Sequence, residues 1–369
     1  MVRRWTARAG SLALLLASCA PVATVAESAT PSAASGSATA SAGPASAQGC
    51  ASSPGQLTTT VADHGWSQLA PGASPAARSE AAMEYDGARG EILLFGGICG
   101  ESSLLGDTWL WSGKSWREAR PARSPSARGR AGIAYDAAHR QVVLFGGIGG
   151  DGLGLPDTWT WDGTGWTEAH PPASPSARSA PNMTYDPISQ RVLLFGGYAA
   201  GQANPGGPGG CSECGDTWTW DGTNWEELHP LGSPRPRYGS AIGADPKTGR
   251  VILFGGRTPG LIGDTFAWDG ATWSALPAET APSRRVFTHL VRTGSNALLL
   301  FGGEGDKGAL GDTWLWRDGW TADTGTTMPS PRIGEAFAQD GTGGVLLFGG
   351  FQLTATTRVR LGDTWTWRP

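Results

Sequence analysis

Charge is sparse in this chain and nowhere gathered. Only 16% of the 369 residues are Asp, Glu, Lys or Arg, the formal net charge is −4, and there is no basic run. Nucleic-acid binding rests on neutralising phosphates, so nucleic acid is excluded as a partner. Long apolar runs are equally scarce. Beyond the first eighteen residues no stretch is long and apolar enough to span a bilayer as a helix. No later stretch carries a helical apolar period of useful length, which argues against a helical domain. Histidine is limited to His64, His139, His170, His229 and His289. His170 and His229 occupy equivalent places in neighbouring repeats, too far apart to share a metal. No Ser-His-Asp order stands out, and triads are set by geometry that sequence does not show. Neither a metal nor a cofactor is expected.

What is present repeats. A short apolar run ends in Phe-Gly-Gly at Phe95, Phe145, Phe195, Phe254, Phe301 and Phe348. The copies lie 50, 50, 59, 47 and 47 residues apart. Each is followed by Asp-Thr-aromatic-x-Trp, starting at Asp107, Asp157, Asp216, Asp264, Asp312 and Asp363, with Phe266 replacing the first Trp once. An Arg opens each repeat, at Arg78, Arg128, Arg178, Arg237, Arg285 and Arg332. A period of this size means one supersecondary unit per repeat, stacked so that neighbours bury each other. In the first repeat the strand-like blocks are Ala81 to Tyr85, Glu91 to Phe95, Thr108 to Trp111 and Trp116 to Ala119. They are short, β-branched or aromatic, and bounded by turn residues. Four such strands make an antiparallel meander. Six meanders around an axis make an all-β, six-bladed propeller, which limits exposed sheet edges.

The Gly-Gly after an apolar strand, the pair Trp109 and Trp111, the later Trp116 and the opening Arg together resemble the kelch repeat. The resemblance covers roughly residues 57 to 369. It implies a kelch-type propeller and leaves the activity open, because such propellers host many functions. The glycines are expected to let a strand pass close beneath a large ring. Seventeen of the eighteen Trp lie in the repeats and recur in register, so they read as packing between blades. The six Arg and the Asp before Thr-Trp also recur once per blade, so both read as structural rather than as a ligand ring. The last repeat stops at Trp365-Thr366-Trp367-Arg368-Pro369 and lacks a fourth strand. Gly65-Trp66-Ser67-Gln68-Leu69 matches the missing piece. An N-terminal outer strand is therefore expected to close the ring in the last blade.

Residues 1–18 read as an export signal, with Arg3, Arg4 and Arg8 before the apolar Leu12 to Ala17. Leu16-Ala17-Ser18-Cys19 resembles the bacterial lipobox, which implies lipidation of Cys19 and an extracytoplasmic, envelope-anchored protein. Losing the three arginines takes the mature chain from −4 to −7. Residues 19–56 are rich in Ala, Ser, Thr, Pro and Gly and read as a disordered tether. The domain organisation is thus signal 1–18, tether 19–56 and propeller 57–369. Membrane contact would come only through the lipid, and the protein is expected to be a monomer. Cys50, Cys99, Cys211 and Cys214 remain, an even count that suits disulfides in an exported chain. Three pairings are possible. Cys211 with Cys214 and Cys50 with Cys99 are favoured over a zinc site, for which a single C-x-x-C is a weak signal.

In a meander propeller the 1–2 and 3–4 turns share one face, and here they are short. The 2–3 and 4–1 loops share the other face, vary in length and content, and are where binding residues belong. Residues that break the repeat are the candidates. Tyr198, Arg257 and Glu304 follow Gly-Gly, Arg130 and Tyr238 follow shortly after an opening Arg, and Glu84 and His289 lie on inner strands. They are expected on one face and one funnel. The reading this supports is a non-catalytic binding module that contacts a protein or glycan through the 2–3 and 4–1 loops. The alternative is a mutarotase or epimerase acting on sialic acid or a related sugar, as in the exported kelch-like mutarotases. A purely structural envelope protein is the third.

Overall fold

The computed structural model describes residues 50, 62–199, 211–325, 327–354 and 357–369. The segments expected to be signal and tether, Cys19 included, lie almost wholly outside these residues, as does the stretch 204–210 of the third long loop. Among the described residues there is no α-helix. Six four-stranded antiparallel sheets form the blades. The first is Ala82–Asp86, Glu91–Cys99, Ser103–Trp111 and Trp116–Ala119, from the inner strand outwards. The inner strands of the other five begin at Gly132, Asn182, Ala241, His289 and Ala336. The sixth blade takes its outer strand, Gly65–Leu69, from the other end of the chain, paired Gly65 to Arg368 through Leu69 to Thr364. The ring therefore closes by hydrogen bonds between the two ends of the repeat region.

Each letter of the repeat now has a physical cause. The Phe before Gly-Gly packs on the outer-strand Trp of the next blade, with ring centroids 4.9–5.5 Å apart, for example Phe95 on Trp166 and Phe301 on Trp66. That same Trp donates its Nε1–H to the Thr of Asp-Thr in the preceding blade at 3.0–3.3 Å, from Trp166 to Thr108 and round to Trp116 on Thr364. A buried indole keeps its apolar body packed while its N–H finds an acceptor. Each contact joins two blades, so the six together form a closed circuit.

The glycines serve a different purpose from the one the sequence suggests. The first Gly of each pair sits at φ 66–72° and the second at φ 92–122°. A Cβ on Gly96 would lie 2.6 Å from the Arg128 carbonyl oxygen. It is the backbone of the next blade, not an aromatic ring, that comes too close for a side chain. The second Gly donates its N–H to the next blade's opening Arg carbonyl at 2.8–3.0 Å in all six blades. The Gly-Gly kink also breaks the register between Phe95 and Gly97, and pairing resumes as Gly97 with Leu105 to Cys99 with Ser103. Most of the loops expected after Gly-Gly are thus short β-ribbons beyond a kink.

The opening arginines are 0–1% exposed. Each makes a two-pronged ion pair with the Asp of its own blade, with N–O distances of 2.5–3.1 Å. Each also donates to the carbonyl of the first Gly at 2.9–3.1 Å. In five blades the first Trp of the motif donates to the same Asp at 2.7 Å. In the fourth, Phe266 has no N–H to give, and Arg237 lies 5.5 Å over its ring instead. Burial pushes the carboxyls of Asp107, Asp157, Asp216 and Asp312 up, but the arginine and indole bonds outweigh it and hold them below the usual carboxylate range.

Candidate functional site

The centre of the disc is organised by one position per blade, two residues after each opening Arg. Its occupants are Glu80, Arg130, Ala180, Gly239, Phe287 and Gly334. All six adopt the left-handed conformation, with φ between 48° and 62°. For the four that are not glycine this costs about 1–2 kcal/mol each, so something must hold them there. It is a ring of backbone bonds. The N–H of Arg130 donates to Glu80, Ala180 to Arg130, Gly239 to Ala180, Phe287 to Gly239, Gly334 to Phe287, and Glu80 to Gly334, at 2.6–3.3 Å. These six bonds form a closed collar around the axis.

Three collar positions carry large side chains, and they meet. Arg130 makes a two-pronged pair with Glu80 at 2.8 and 2.9 Å. Its guanidinium lies 5.0 Å from the ring centroid of Phe287, three places away on the collar and so opposite. Burial pushes Arg130 down, but Glu80, with help from Tyr238 and Glu304, holds it above its ordinary value. On the loop side the Tyr238 ring lies 4.9 Å from Tyr198 and 6.0 Å from Phe287. Arg257 donates to Glu304 at 3.0 Å. Burial lowers Arg257, while Glu304 and Tyr238 more than offset it. Arg360 approaches from the sixth blade, 4.9 Å over the Phe351 ring. Its Nη2 reaches the Glu101 carbonyl at 3.4 Å. Its Nε and Nη1 are buried and find no acceptor among the described residues. Burial holds Arg360 below its ordinary value, against the attraction of Glu80.

On the other side of the collar lies a cavity of about 550 Å³. All six collar residues line it, and none of the residues that follow Gly-Gly does. It runs down the inner strands to Ala137, Pro187 and Pro246 at the short turns. Its wall is layered because the inner strands share one register. His289 and Asn182 stand nearest the collar. Next comes an apolar ring of Met83, Ile133, Met183, Ile242, Leu290 and Phe337. Glu84 and Thr184 follow, then Tyr135, Tyr185, Arg292 and Gln339 towards the mouth. His289 has an accessible surface, but it faces the cavity rather than bulk water, and burial pushes it down to about 4. Burial pushes Glu84 up to about 7, against the N–H of Tyr85, which bonds Oε1 at 2.9 Å.

The seven sequence candidates therefore occupy two places. Tyr198, Tyr238, Arg257 and Glu304 lie on the loop side, Glu84 and His289 line the cavity, and Arg130 sits on the collar between them. Glu80, Phe287 and Arg360 did not stand out in the sequence. Glu80 and Phe287 share Arg130's register, so a comparison of that one position across blades would have found them. Glu335 was also missed. It is fully buried, neither carboxylate oxygen has a partner among the described residues, and burial pushes it up to about 8. At its position the other blades carry Ala81, Ala131, Pro181, Ser240 and Thr288, so a lone acid was the available signal.

Cys50 pairs with Cys99, and Cys211 with Cys214. Cys211, Cys214 and Asp216 offer ligand atoms within 4.8 Å of one another. The disulfide uses both sulfurs and Arg178 holds Asp216, so this trio is not arranged to take a metal. No protein-family model and no curated protein matches the chain. The architecture is that of a six-bladed β-propeller.

Proposed function

We propose that this is a kelch-type binding module, exported and held at the bacterial envelope through a lipid on Cys19, whose loop face takes a glycan bearing a carboxylate. One observation carries the reading. Arg360 keeps two buried nitrogens, Nε and Nη1, without an acceptor among the described residues, whereas all three guanidinium nitrogens of every opening Arg are hydrogen-bonded. An orphaned buried donor costs about 1–3 kcal/mol, and a ligand carboxylate oxygen accepting from Nε–H or from Nη1–H would remove part of that cost with a charge-assisted bond. Tyr198 and Tyr238 add an aromatic surface on the same side of the collar, suited to the apolar face of a sugar ring. Binding is preferred to mutarotase chemistry because Glu304, the acid such chemistry would draw on, is committed to Arg257.

The test is saturation-transfer NMR on the purified protein with sialic acid, glucuronate and glucose. Transfer to the two acidic sugars and not to glucose is expected, with loss in Arg360→Ala. Equal transfer to glucose, or acid binding that survives Arg360→Ala, would sink the reading. Faster anomer exchange in the same spectra would instead favour the mutarotase. Silence with all three sugars would turn the search to a protein partner. The anchor is checked separately by Cys19→Ser, which should release the protein from the membrane fraction.

A further inference from the structure

The cavity on the other side of the collar is not explained by a glycan site on the loop face. A free sugar is polar on most of its surface, and hydroxyls set against the apolar part of the wall, Ile133 and Phe287, would be left unpaired at about 1–3 kcal/mol each. Five of the six residues of the apolar ring are 3–9% exposed and packed between blades. The apolar surface open to a ligand is therefore Ile133, Phe287 and the faces of Tyr135 and Tyr185, and it calls for an apolar body. The volume, about 550 Å³, lies within the roughly 300–1,000 Å³ typical of small-molecule sites.

The polar groups in the wall decide the sign of the ligand's head. Glu80 and Arg130 neutralise each other. Asp245 is occupied by the Lys247 N–H and the Thr248 hydroxyl. Tyr135 and Tyr185 are held above their ordinary value, burial being the largest cause, and stay neutral. His289 is uncharged for the same reason. Arg292 is exposed near the mouth. That leaves Glu84 as the acid inside the wall with no cation beside it. Its Oε1 takes only the Tyr85 N–H, and Oε2 accepts no hydrogen bond from the described residues. A carboxyl in apolar surroundings gains most from a partner that brings a positive charge and an N–H donor together.

We infer that the cavity is a second binding site, reached from the short-turn face, for a small amphipathic amine whose ammonium pairs with Glu84 and whose apolar body lies against the partly exposed Ile133, Phe287, Tyr135 and Tyr185. The site is independent of the loop-face reading, because the collar and its Glu80–Arg130–Phe287 cluster stand between the two. Binding an amine there draws Glu84 towards its ionised form, so the pair forms with release of the proton the carboxyl held.

The experiment uses the full chain and three probes of one shape, adamantylamine, adamantanol and adamantane carboxylate, titrated calorimetrically at neutral pH. The amine is expected to bind about tenfold or more tightly than the alcohol, and the carboxylate weakest. Glu84→Gln, isosteric and uncharged, should reduce the amine to the level of the alcohol while leaving the alcohol unchanged. Thr184→Trp, which fills the channel, should remove binding of all three, whereas Arg360→Ala on the loop side should change none. An amine no tighter than the alcohol, an amine preference that survives Glu84→Gln, or no binding of any probe to the native chain overturns the inference. Should Thr184→Trp fail to fold, the Glu84→Gln comparison decides alone.

Discussion

Two rings of positions run round this molecule, two residues apart in every blade, and they obey different rules. At the first, all six residues are Arg, and each has the same Asp, the same glycine carbonyl and the same degree of burial. At the second the backbone is as regular, six left-handed residues in a closed circuit, yet the side chains are Glu80, Arg130, Ala180, Gly239, Phe287 and Gly334. Repetition of the side chain marks a residue that holds its own blade. Repetition of the backbone with a varied side chain marks a platform on which a site is built. The unengaged groups follow the same division. Arg360, Glu84 and Glu335 each stand at a position whose side chain varies from blade to blade.

The comparison can be broken most severely at the seam. Deleting Gly65–Leu69 removes the sixth blade's outer strand, the Trp66 ring from Phe301, and the Trp66 bond to Thr313. An open sheet edge and aromatic surface result. The expected product is aggregated or lacks the native circular-dichroism spectrum. A monomeric, fully folded deletion product would show that ring closure is dispensable.

The next effect is at the repeated pair. Asp157→Ala leaves Arg128 buried without its counter-charge and Trp159 without its acceptor. The cost should be on the order of 3–5 kcal/mol, read as a lower urea midpoint at unchanged slope. Glu118→Ala, at the exposed ion pair with Arg120, should cost no more than about 1 kcal/mol by the same measurement. Equal shifts at the two sites would erase the distinction between framework and surface.

The third effect sharpens the contrast through pH. Glu335 titrates at about 8 in the folded protein, above its ordinary 4.5. The native state therefore holds this proton longer than the unfolded chain does. Its contribution to stability is greatest below pH 4.5, declines as pH rises from there to about 8, and is constant above. Glu335→Gln cannot ionise, so relative to the native chain it should gain stability on the order of a few kcal/mol at pH 9 and change little at pH 4. Urea midpoints at the two pH values check this. A gain that does not depend on pH would mean that Glu335 is ionised in the fold or bonded to a cation.

Much of this was legible in the residues. The Phe-Gly-Gly and Asp-Thr-Trp copies located the second and third strands of every blade. Trp66 announced the closing strand because it matched Trp166 and Trp225. The arginines and tryptophans were legible as framework because they recur in register. Other features were not. The glycine requirement comes from a carbonyl of the neighbouring blade, which no single repeat displays. The collar was hidden because five of its bonds link residues about fifty positions apart and the sixth joins Glu80 to Gly334, and left-handed backbone at Glu80, Arg130, Ala180 and Phe287 has no residue signature. The residues alone put Glu84 and His289 on inner strands and Tyr198 and Glu304 after Gly-Gly, but not the collar that stands between them.

The sequence by itself determined the number of blades, the strand order and the seam, because each depends on local spacing and on side chains repeated at a fixed period. Only the tertiary structure decided what lies at the axis. There six segments distant in sequence meet, and whether a charge is paired, orphaned or walled into a cavity depends on its neighbours in the ring rather than its neighbours along the chain.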